Sequence, residues 1–213
     1  MRRLNLAAGV GAIALLAGAC NVTAAQAASP LDDLIAPKAG NTACFTRVYD
    51  ADHLHNNPKQ TTTAMVVWLT YDKAYGDPAV LALGLGIGIS RKGDSLPLFA
   101  QGGCAWDERA NRDTSDRRMI EEFKKEAGGG CMMSARPDVF DVLSAEEGGY
   151  LILDRGKDSD TLVVYLEDYL TMVKQADRAK QLDITFGAAD RVFLLRRAAA
   201  KDCDFVELSL IHI

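Results

Sequence analysis

Carboxylates and imidazoles are concentrated in one short segment of the chain. Asp50, Asp52, His53 and His55 lie close together there, while His212 is the only other histidine. Carboxylate oxygens and imidazole nitrogens are ligands for zinc and other divalent ions. On a strand the paired histidines would face the same way, whereas on a helical turn they would diverge. The segment supports two hypotheses, a divalent-metal site or an Asp-capped turn with polar surface histidines.

A second candidate site is the segment 81–89, in which Leu or Ile alternates with small residues. A period of two predicts a strand with one bulky apolar face and one nearly bare face. The bare face contains Gly84, Gly86 and Gly88. Glycines weaken a strand, so tight coiling, a close backbone or a ligand should compensate. We expect either a coiled barrel or sandwich strand, or a ligand-binding wall made by these glycines.

Other catalytic patterns are absent from the sequence. The glycines of 84–88 lie inside the strand rather than between a strand and a helix, so they do not match a nucleotide-binding fingerprint. No G-x-S-x-G nucleophile motif occurs, and no pair of carboxylates is distinguished from the other acidic residues. No cofactor is therefore indicated, unless the segment 50–55 binds a divalent metal such as zinc.

The first 27 residues have the features of a bacterial export signal. A positive start at Met1–Arg3 precedes an apolar run, Leu6–Ala19, and small residues that end at Ala25–Ala27. This order predicts secretion with cleavage after Ala27. The apolar run is shorter than the roughly 20 residues that span a bilayer. Alternatively, Ala17–Cys20 resembles a lipobox, and lipidation of Cys20 would tether the domain to a membrane.

Cleavage would leave four cysteines, which in an exported protein predict two disulfides. We favour Cys104–Cys131, because both residues follow glycines and are close in sequence, and Cys44–Cys203, which would tie the chain ends together. The other two pairings remain possible from the sequence. None of the four is in a CxxC spacing, so neither a thioredoxin-like site nor a zinc ribbon is indicated.

The charge of the chain limits its partners. The formal net charge is −5, and the export segment contributes two of the arginines and no acid. An acidic domain is poorly suited to phosphate backbones, which need clustered Lys and Arg. The sequence therefore argues against nucleic-acid binding. It leaves a small ligand or an envelope protein as the partner, and a membrane only if Cys20 is lipidated.

The pattern of the remaining chain is typical of an all-β fold, either a small antiparallel sandwich or a barrel. We expect a loose lead-in at 28–41 and a single domain at 42–213, with about 8–10 short strands separated by turn residues. One helix is predicted at 116–127, within an insertion at about 106–130. The segment 167–181 is ambiguous between strand and helix, and the tail 205–213 between a last strand and a trailing end. The strand candidates are 43–49, 61–71, 81–89, 97–105, 131–135, 139–144, 149–154, 161–166, 169–174, 182–186 and 191–196.

Two separate stretches resemble a group of uncharacterised exported proteins of proteobacteria. The first runs from Cys44 through the Asp52-His53-Leu54 part to Thr61, and the second comprises Asp190–Arg196 with Cys203. The resemblance covers about a quarter of the chain and brings no activity with it. It implies an all-β periplasmic domain, favours the bond between Cys44 and Cys203, and directs attention to His53 rather than His55.

These observations support three functional hypotheses. The first is a non-enzymatic periplasmic β domain that binds a small apolar ligand, along the glycine face, or a protein partner. The second is a metal-dependent hydrolase built on Asp50, Asp52, His53 and His55. The third is a structural or inhibitory envelope protein that acts through its surface.

Overall fold

Alternation of apolar and polar residues produces strands along most of the chain. A computed structural model describes residues 31–74, 77–95, 97–105, 129–134, 147–174 and 177–204. Within these ranges, two short 3₁₀ turns occur at Ala188–Asp190 and Ala200–Cys203. The other elements are β1 (Thr42–Val48), α1 (Ala51–Asn56), β2 (Thr62–Ala74), β3 (Asp77–Arg91), β4 (Leu98–Ala105), β5 (Gly129–Ser134), β6 (Glu147–Arg155), β7 (Thr161–Lys174), β8 (Asp177–Thr185) and β9 (Val192–Ala198).

The strands form one antiparallel sheet that closes on itself. Its order is β6-β5-β4-β3-β2-β1-β9-β7-β8, and a further pairing of β6 with β7 completes a ring. Strand β8 lies beside the ring and pairs with the second half of β7. The predicted all-β class is confirmed. Of the two predicted architectures, the closed pairing selects the barrel.

One face of each strand in the ring supplies the core. Four bulky residues of the alternating segment in β3 are buried, namely Leu83, Leu85, Ile87 and Ile89. They share a single cluster with inward residues from every other strand of the ring. Burial of a large apolar side chain contributes about 2 kcal/mol, so this shared interior is a major source of stability. The largest fully buried side chains of the interior are Phe45, Met65, Leu69, Leu85, Ile87, Ile89, Leu98, Met133 and Phe193.

Strand β7 differs from the two strands predicted at 161–166 and 169–174, and the helix considered for 167–181 is wrong. Thr161–Lys174 is one continuous strand. Its buried core residues keep a strict period of two on both sides of the polar pair Glu167 and Asp168. A register shift in the pairing with β6 accommodates this interruption. A polar pair therefore does not end a strand whose two halves share one buried face.

The helix predicted at 116–127, the strand at 139–144 and the tail 205–213 lie outside the described residues. Within those residues, the α-helix is the single turn after β1, at Ala51–Asn56. The part of the chain that the structure describes contains no helix long and apolar enough to cross a membrane.

The expected loose lead-in is wrong for the described part of 28–41. Leu31, Leu34 and Ile35 expose only 1%, 2% and 4% of their surface and pack into the barrel core. The backbone amides of Leu34 and Ile35 both donate to the carbonyl of Leu31, which forms a tight turn. Arg197 at the end of β9 donates a hydrogen bond to the carbonyl of Leu34. The segment is thus an apolar plug at one end of the barrel.

Both favoured disulfides are present. Cys44 of β1 is bonded to Cys203, at a sequence separation of 159, and Cys104 of β4 is bonded to Cys131 of β5. The first bond therefore fastens the turn after the last strand of the ring to its first strand.

Candidate functional site

The segment with the predicted metal ligands forms the helix α1 rather than a strand. Asp50 is its N-cap, and Oδ1 accepts a hydrogen bond of 2.7 Å from the backbone amide of His53. At the other end, the Asn57 side chain donates to the carbonyl of His53 over 2.9 Å. An aspartate at this position satisfies an amide that the helix itself leaves without a partner. The prediction of an Asp-capped turn is confirmed.

The His53 ring is held against the rim of the barrel. It stacks on Tyr49, with ring centroids 4.5 Å apart and an interplanar angle of 30°. Its Nε2 lies 3.0 Å from Oε1 of Gln60, whose Nε2 donates to the carbonyl of Thr62 over 2.8 Å. Because the Gln60 amide nitrogen is directed at a carbonyl, its oxygen faces the imidazole, and Nε2 of His53 is the donor. These contacts give His53 a structural role.

The other members of the predicted ligand set do not join His53. Asp52 and His55 are exposed, and residues two apart on a helix point in nearly opposite directions. The described ranges contain no group of three or more His, Cys, Asp or Glu side chains that could hold a metal. The geometry therefore gives the zinc hypothesis for Asp50, Asp52, His53 and His55 no support.

Asp190 forms the densest polar contact at this end of the barrel. It exposes 1% of its surface, and Oδ2 accepts hydrogen bonds from the backbone amide and the hydroxyl of Thr61, both at 2.8 Å. Its Oδ1 accepts a third, from the Thr62 amide, at 2.8 Å. Burial acts to raise the pKa of the Asp190 carboxyl, but these hydrogen bonds outweigh burial and hold the pKa below its usual value. Asp190 is therefore a buried anion that joins the start of β2 to the turn before β9.

The two stretches that carry the family resemblance are neighbours in the fold. Asp190 bonds to Thr61, and Cys203 bonds to Cys44. Residues far apart in sequence thus form one continuous region along β1 and β9. The role of Asp190 is not visible in the sequence, because its partners lie 128 and 129 positions away.

The three glycines of the alternating segment point away from the barrel interior. Their neighbours in β3 fill the core, so Gly84, Gly86 and Gly88 face outward. All three are nevertheless buried. The glycine face therefore does not line the inside of the barrel, and something covers it from outside.

Aromatic side chains from the adjacent strands lie beside these glycines. Trp68 of β2 is opposite Gly86, and Phe99 of β4 is opposite Gly88. Trp68 and Phe99 expose 3% and 2% of their surface and share one apolar cluster with the Cys44–Cys203 disulfide. Because β3 separates β2 from β4 by about 10 Å in total, this cluster extends across the bare face of β3. Side chains at the glycine positions would occupy space that the residues of this cluster now fill.

The structure shows an apolar surface that was not predicted from the sequence. Among the described residues, three large apolar side chains are exposed, namely Val48 at 75%, Val192 at 49% and Leu194 at 46%. They lie on the outer face of the neighbouring strands β1 and β9. Val48 and Leu194 each lie two residues beyond the last register pair of these strands, Thr46 with Arg196. The three side chains are therefore gathered in one place.

Each exposed residue also has an outward apolar neighbour on the next strand. Four adjacent strands, β2, β1, β9 and β7, take part, and their spacing makes the patch about 15 Å wide. We call these six residues, the three exposed ones and their three neighbours, the outer apolar band. Its opposed pairs are Val48 with Ala64, Leu194 with Val163, and Val192 with Tyr165.

One exposed cation borders the outer apolar band. Arg196 lies on the same face of β9 as Leu194 and is opposite Thr46 and Thr161. Within the described ranges, the ion pairs found at up to 4 Å involve other arginines. Arg196 acts on a carboxylate only from farther away, and its charge is a minor cause, after the hydrogen bond from Thr161, of the lowered pKa of the exposed Asp158. Its charge can therefore meet an acidic group brought by a partner.

The run Val192-Phe193-Leu194-Leu195 contains the signal that could have revealed this surface. A strand with one face in water alternates apolar and polar residues, whereas a continuous apolar run indicates that both faces contact apolar groups. Phe193 and Leu195 fill the core, and the other two residues are exposed. The outward face of this run, formed by the two exposed residues, is therefore apolar, and no described residues bury it.

Comparison of the chain with protein-family models, with curated proteins and with solved structures finds no match. The resemblance to exported proteobacterial proteins stays a prediction. Function is therefore argued from the surface itself.

Proposed function

We propose that the chain is an exported, non-enzymatic binding domain that holds a protein partner on its outer apolar band. The observation that carries the proposal is the grouping of Val48, Val192 and Leu194 on one face of two adjacent strands. Single exposed apolar residues are ordinary, whereas exposed apolar residues grouped on one face mark a candidate interaction site. Two disulfides are in keeping with an oxidising compartment.

The filled interior supports a protein partner over a small apolar ligand. Barrels that bind such ligands keep a cavity inside. Here apolar side chains from every strand of the ring form one cluster, and the plug residues Leu31, Leu34 and Ile35 join it. The glycine face, which was the predicted ligand wall, lies outside this cluster. Binding on the outer surface therefore requires a smaller change to the fold than binding inside the barrel.

The chemistry of the band indicates what the partner presents. Apolar side chains would cover Val48, Val192 and Leu194, and a neighbouring carboxylate would meet Arg196. A stable complex of two folded proteins buries about 800 Å² on each side. A patch about 15 Å across and about 7 Å along the strands covers on the order of 100 Å², which is much less than that. The band thus fits a short segment of another exported protein, with apolar residues next to an acidic one, better than a second copy of this chain.

Site-specific crosslinking in the native cell envelope tests this proposal. A photoreactive amino acid is introduced at Val192, and the crosslinked product is identified by mass spectrometry. We expect one defined partner protein, because the side chain at this position lies within the band. The matched control is the same photoreactive residue at Asp183, which is exposed on β8 outside the band.

A second variant separates binding from folding. Leu194→Asp places a charge in the centre of the band and should reduce the Val192 crosslink at least tenfold, while the melting temperature stays close to that of the wild type. A crosslink only to another copy of the chain would make the band a self-association surface instead. Equal labelling from positions 192 and 183, or a Val192 crosslink that Leu194→Asp does not weaken, would contradict the proposal.

A further inference from the structure

The two disulfides of this chain differ in their access to solvent. Cys44 and Cys203 expose 3% and 0% of their surface, and both belong to the cluster beside the glycine face. In the other bond Cys131 exposes 0%, but Cys104 is partly exposed. Thiol–disulfide exchange requires a thiolate to reach one sulfur of the bond. Cys104 is thus the least buried of the four cysteines, although it packs against the core, and an outside reductant should reach it more readily than Cys44 or Cys203.

The two bonds also differ in what holds their cysteines together. Cys104 and Cys131 are direct register partners on β4 and β5, and the pairing continues on both sides of them. Their Cα atoms are 4.0 Å apart. The strand ladder alone holds directly opposed Cα atoms about 4.5–5.5 Å apart, so the two thiols would stay neighbours after reduction. Cys203 lies in a 3₁₀ turn instead, outside any strand ladder.

We propose that Cys104–Cys131 is a reversible dithiol–disulfide site, opened by an exported protein dithiol, whereas Cys44–Cys203 remains a permanent structural bond. This inference is independent of the proposed partner-binding function. It also differs from a CxxC redox site, since the two cysteines come from different strands and a separation of 27 residues. The sheet, rather than a local motif, brings them together.

The exchange occurs in two steps. A thiolate of the reductant attacks Sγ of Cys104, so a mixed disulfide forms and the bond to Cys131 breaks. Cys131 leaves with the electron pair as a thiolate and takes up a proton. The second thiol of the reductant, as its thiolate, then attacks the reductant sulfur of the mixed disulfide and releases Cys104. The reductant ends as a disulfide, and this chain gains two electrons and two protons.

The location of the pair determines what reduction would change. In the register of the barrel, an interior row runs from Tyr71 through Leu83, Cys104 and Cys131 to Leu151. The disulfide is thus one cross-link in a sheet that is otherwise held together by backbone hydrogen bonds and apolar packing. Opening it should loosen the junction of β4 and β5 while the rest of the ring keeps its pairing.

Graded reduction of the folded, full-length mature protein tests this proposal, with Cys44–Cys203 as the internal control. The protein is exposed to increasing dithiothreitol, alkylated, digested and analysed by mass spectrometry, while circular dichroism follows the fold. We expect Cys104 and Cys131 to be alkylated at least tenfold faster than Cys44 and Cys203, with the strand signal retained. Removal of the reductant should restore the same pairing.

Equal reduction rates for the two bonds, earlier reduction of Cys44–Cys203, or loss of the strand signal with the first bond would each overturn the proposal. A double variant, Cys104→Ser with Cys131→Ser, separates reducibility from stability. It should remain folded and lose the fast alkylation, whereas an unfolded double variant would show that this bond is structural and would also contradict the proposal.

Discussion

Among single residues, Asp190 shows how a charge can be kept out of water at the rim of the barrel. Its carboxylate receives three hydrogen bonds from Thr61 and Thr62, and its exposed fraction is 1%. A buried carboxylate is costly unless such donors satisfy it. The residue therefore links two distant segments firmly, but only while it stays ionised.

The first prediction concerns Asp190→Asn. The Asn side chain keeps the shape of Asp but places an NH₂ group where an oxygen now accepts hydrogen bonds. A buried backbone N–H therefore loses its acceptor. We expect the free energy of unfolding to fall by about 3 kcal/mol, measured by urea denaturation at pH 7. Asp183→Asn is the control, because Asp183 is exposed and accepts a single side-chain hydrogen bond from Thr171. An equal effect of the two substitutions would contradict this role.

The pH dependence of stability follows from the same carboxylate. Its folded pKa is lower than its unfolded value, so its contribution is present above about pH 4 and is lost as the pH falls through the folded pKa. Acid should therefore destabilise the wild type more steeply than Asp190→Asn. Parallel stability curves for the two proteins between about pH 5 and pH 2 would show that the carboxylate is not responsible.

The second prediction separates the two histidines of α1. His53 stacks on Tyr49 and bonds to Gln60, whereas His55 is exposed. His53→Ala should lower the free energy of unfolding by about 1 kcal/mol, and His55→Ala should change it by less than about 0.5 kcal/mol. Thermal denaturation of both variants measures this. If the histidines acted as a metal pair, the two variants would instead have similar effects, and each would depend on added zinc.

Among the elements, the N-terminal segment has the largest difference between expectation and structure. Its two prolines and one glycine suggested a loose lead-in, yet its apolar residues fill one end of the barrel. The sequence could not show this, because the turn at Leu31–Ile35 is too short to have a period. Its burial depends on Arg197 and on the ends of strands far along the chain.

The third prediction tests this plug. Leu34→Ala removes a side chain that is 2% exposed, so the free energy of unfolding should fall by about 2–4 kcal/mol. Lys38→Ala, in the exposed part of the same segment, is the control and should be nearly neutral. Urea denaturation measures both. A negligible effect of Leu34→Ala would restore the expectation of a loose lead-in.

The fourth prediction tests why β3 contains glycines. Gly86→Leu would place a side chain beneath the apolar cluster that extends from Trp68, and overpacking of this kind costs about 1–3 kcal/mol. The cost should be smaller when Trp68 is replaced by Leu, because the competing ring is gone. Ala82→Leu, outward on the same strand and away from Trp68, is the control. Equal costs of Gly86→Leu with and without Trp68 would contradict the covering role.

Local patterns were sufficient to predict most strands. The alternation at 81–89 gives β3 its face, and the β-branched and aromatic run at 61–71 gives β2. They did not reveal what lies against each face, because this depends on register between strands. Trp68 reaches the glycine face only because β2 and β3 pair with Trp68 opposite Gly86.

For the whole molecule, closure of the sheet separates an apolar interior from an outer surface. The outer apolar band, on which the proposed function rests, lies where β1 meets β9. The spacing of short strand candidates between turn residues correctly predicted an all-β domain. This spacing could not locate the band, because Val48 and Val192 become neighbours only when the last strand of the ring pairs with the first.

The central claim is that this barrel acts through its outer surface, and native mass spectrometry of the protein released gently from its own cells tests it most directly. We predict that the wild type carries the mass of a second, different protein, that Leu194→Asp loses it, and that denaturation reveals no bound small molecule. A small mass excess that persists in Leu194→Asp and disappears on denaturation would contradict the claim. It would place a ligand in the barrel instead.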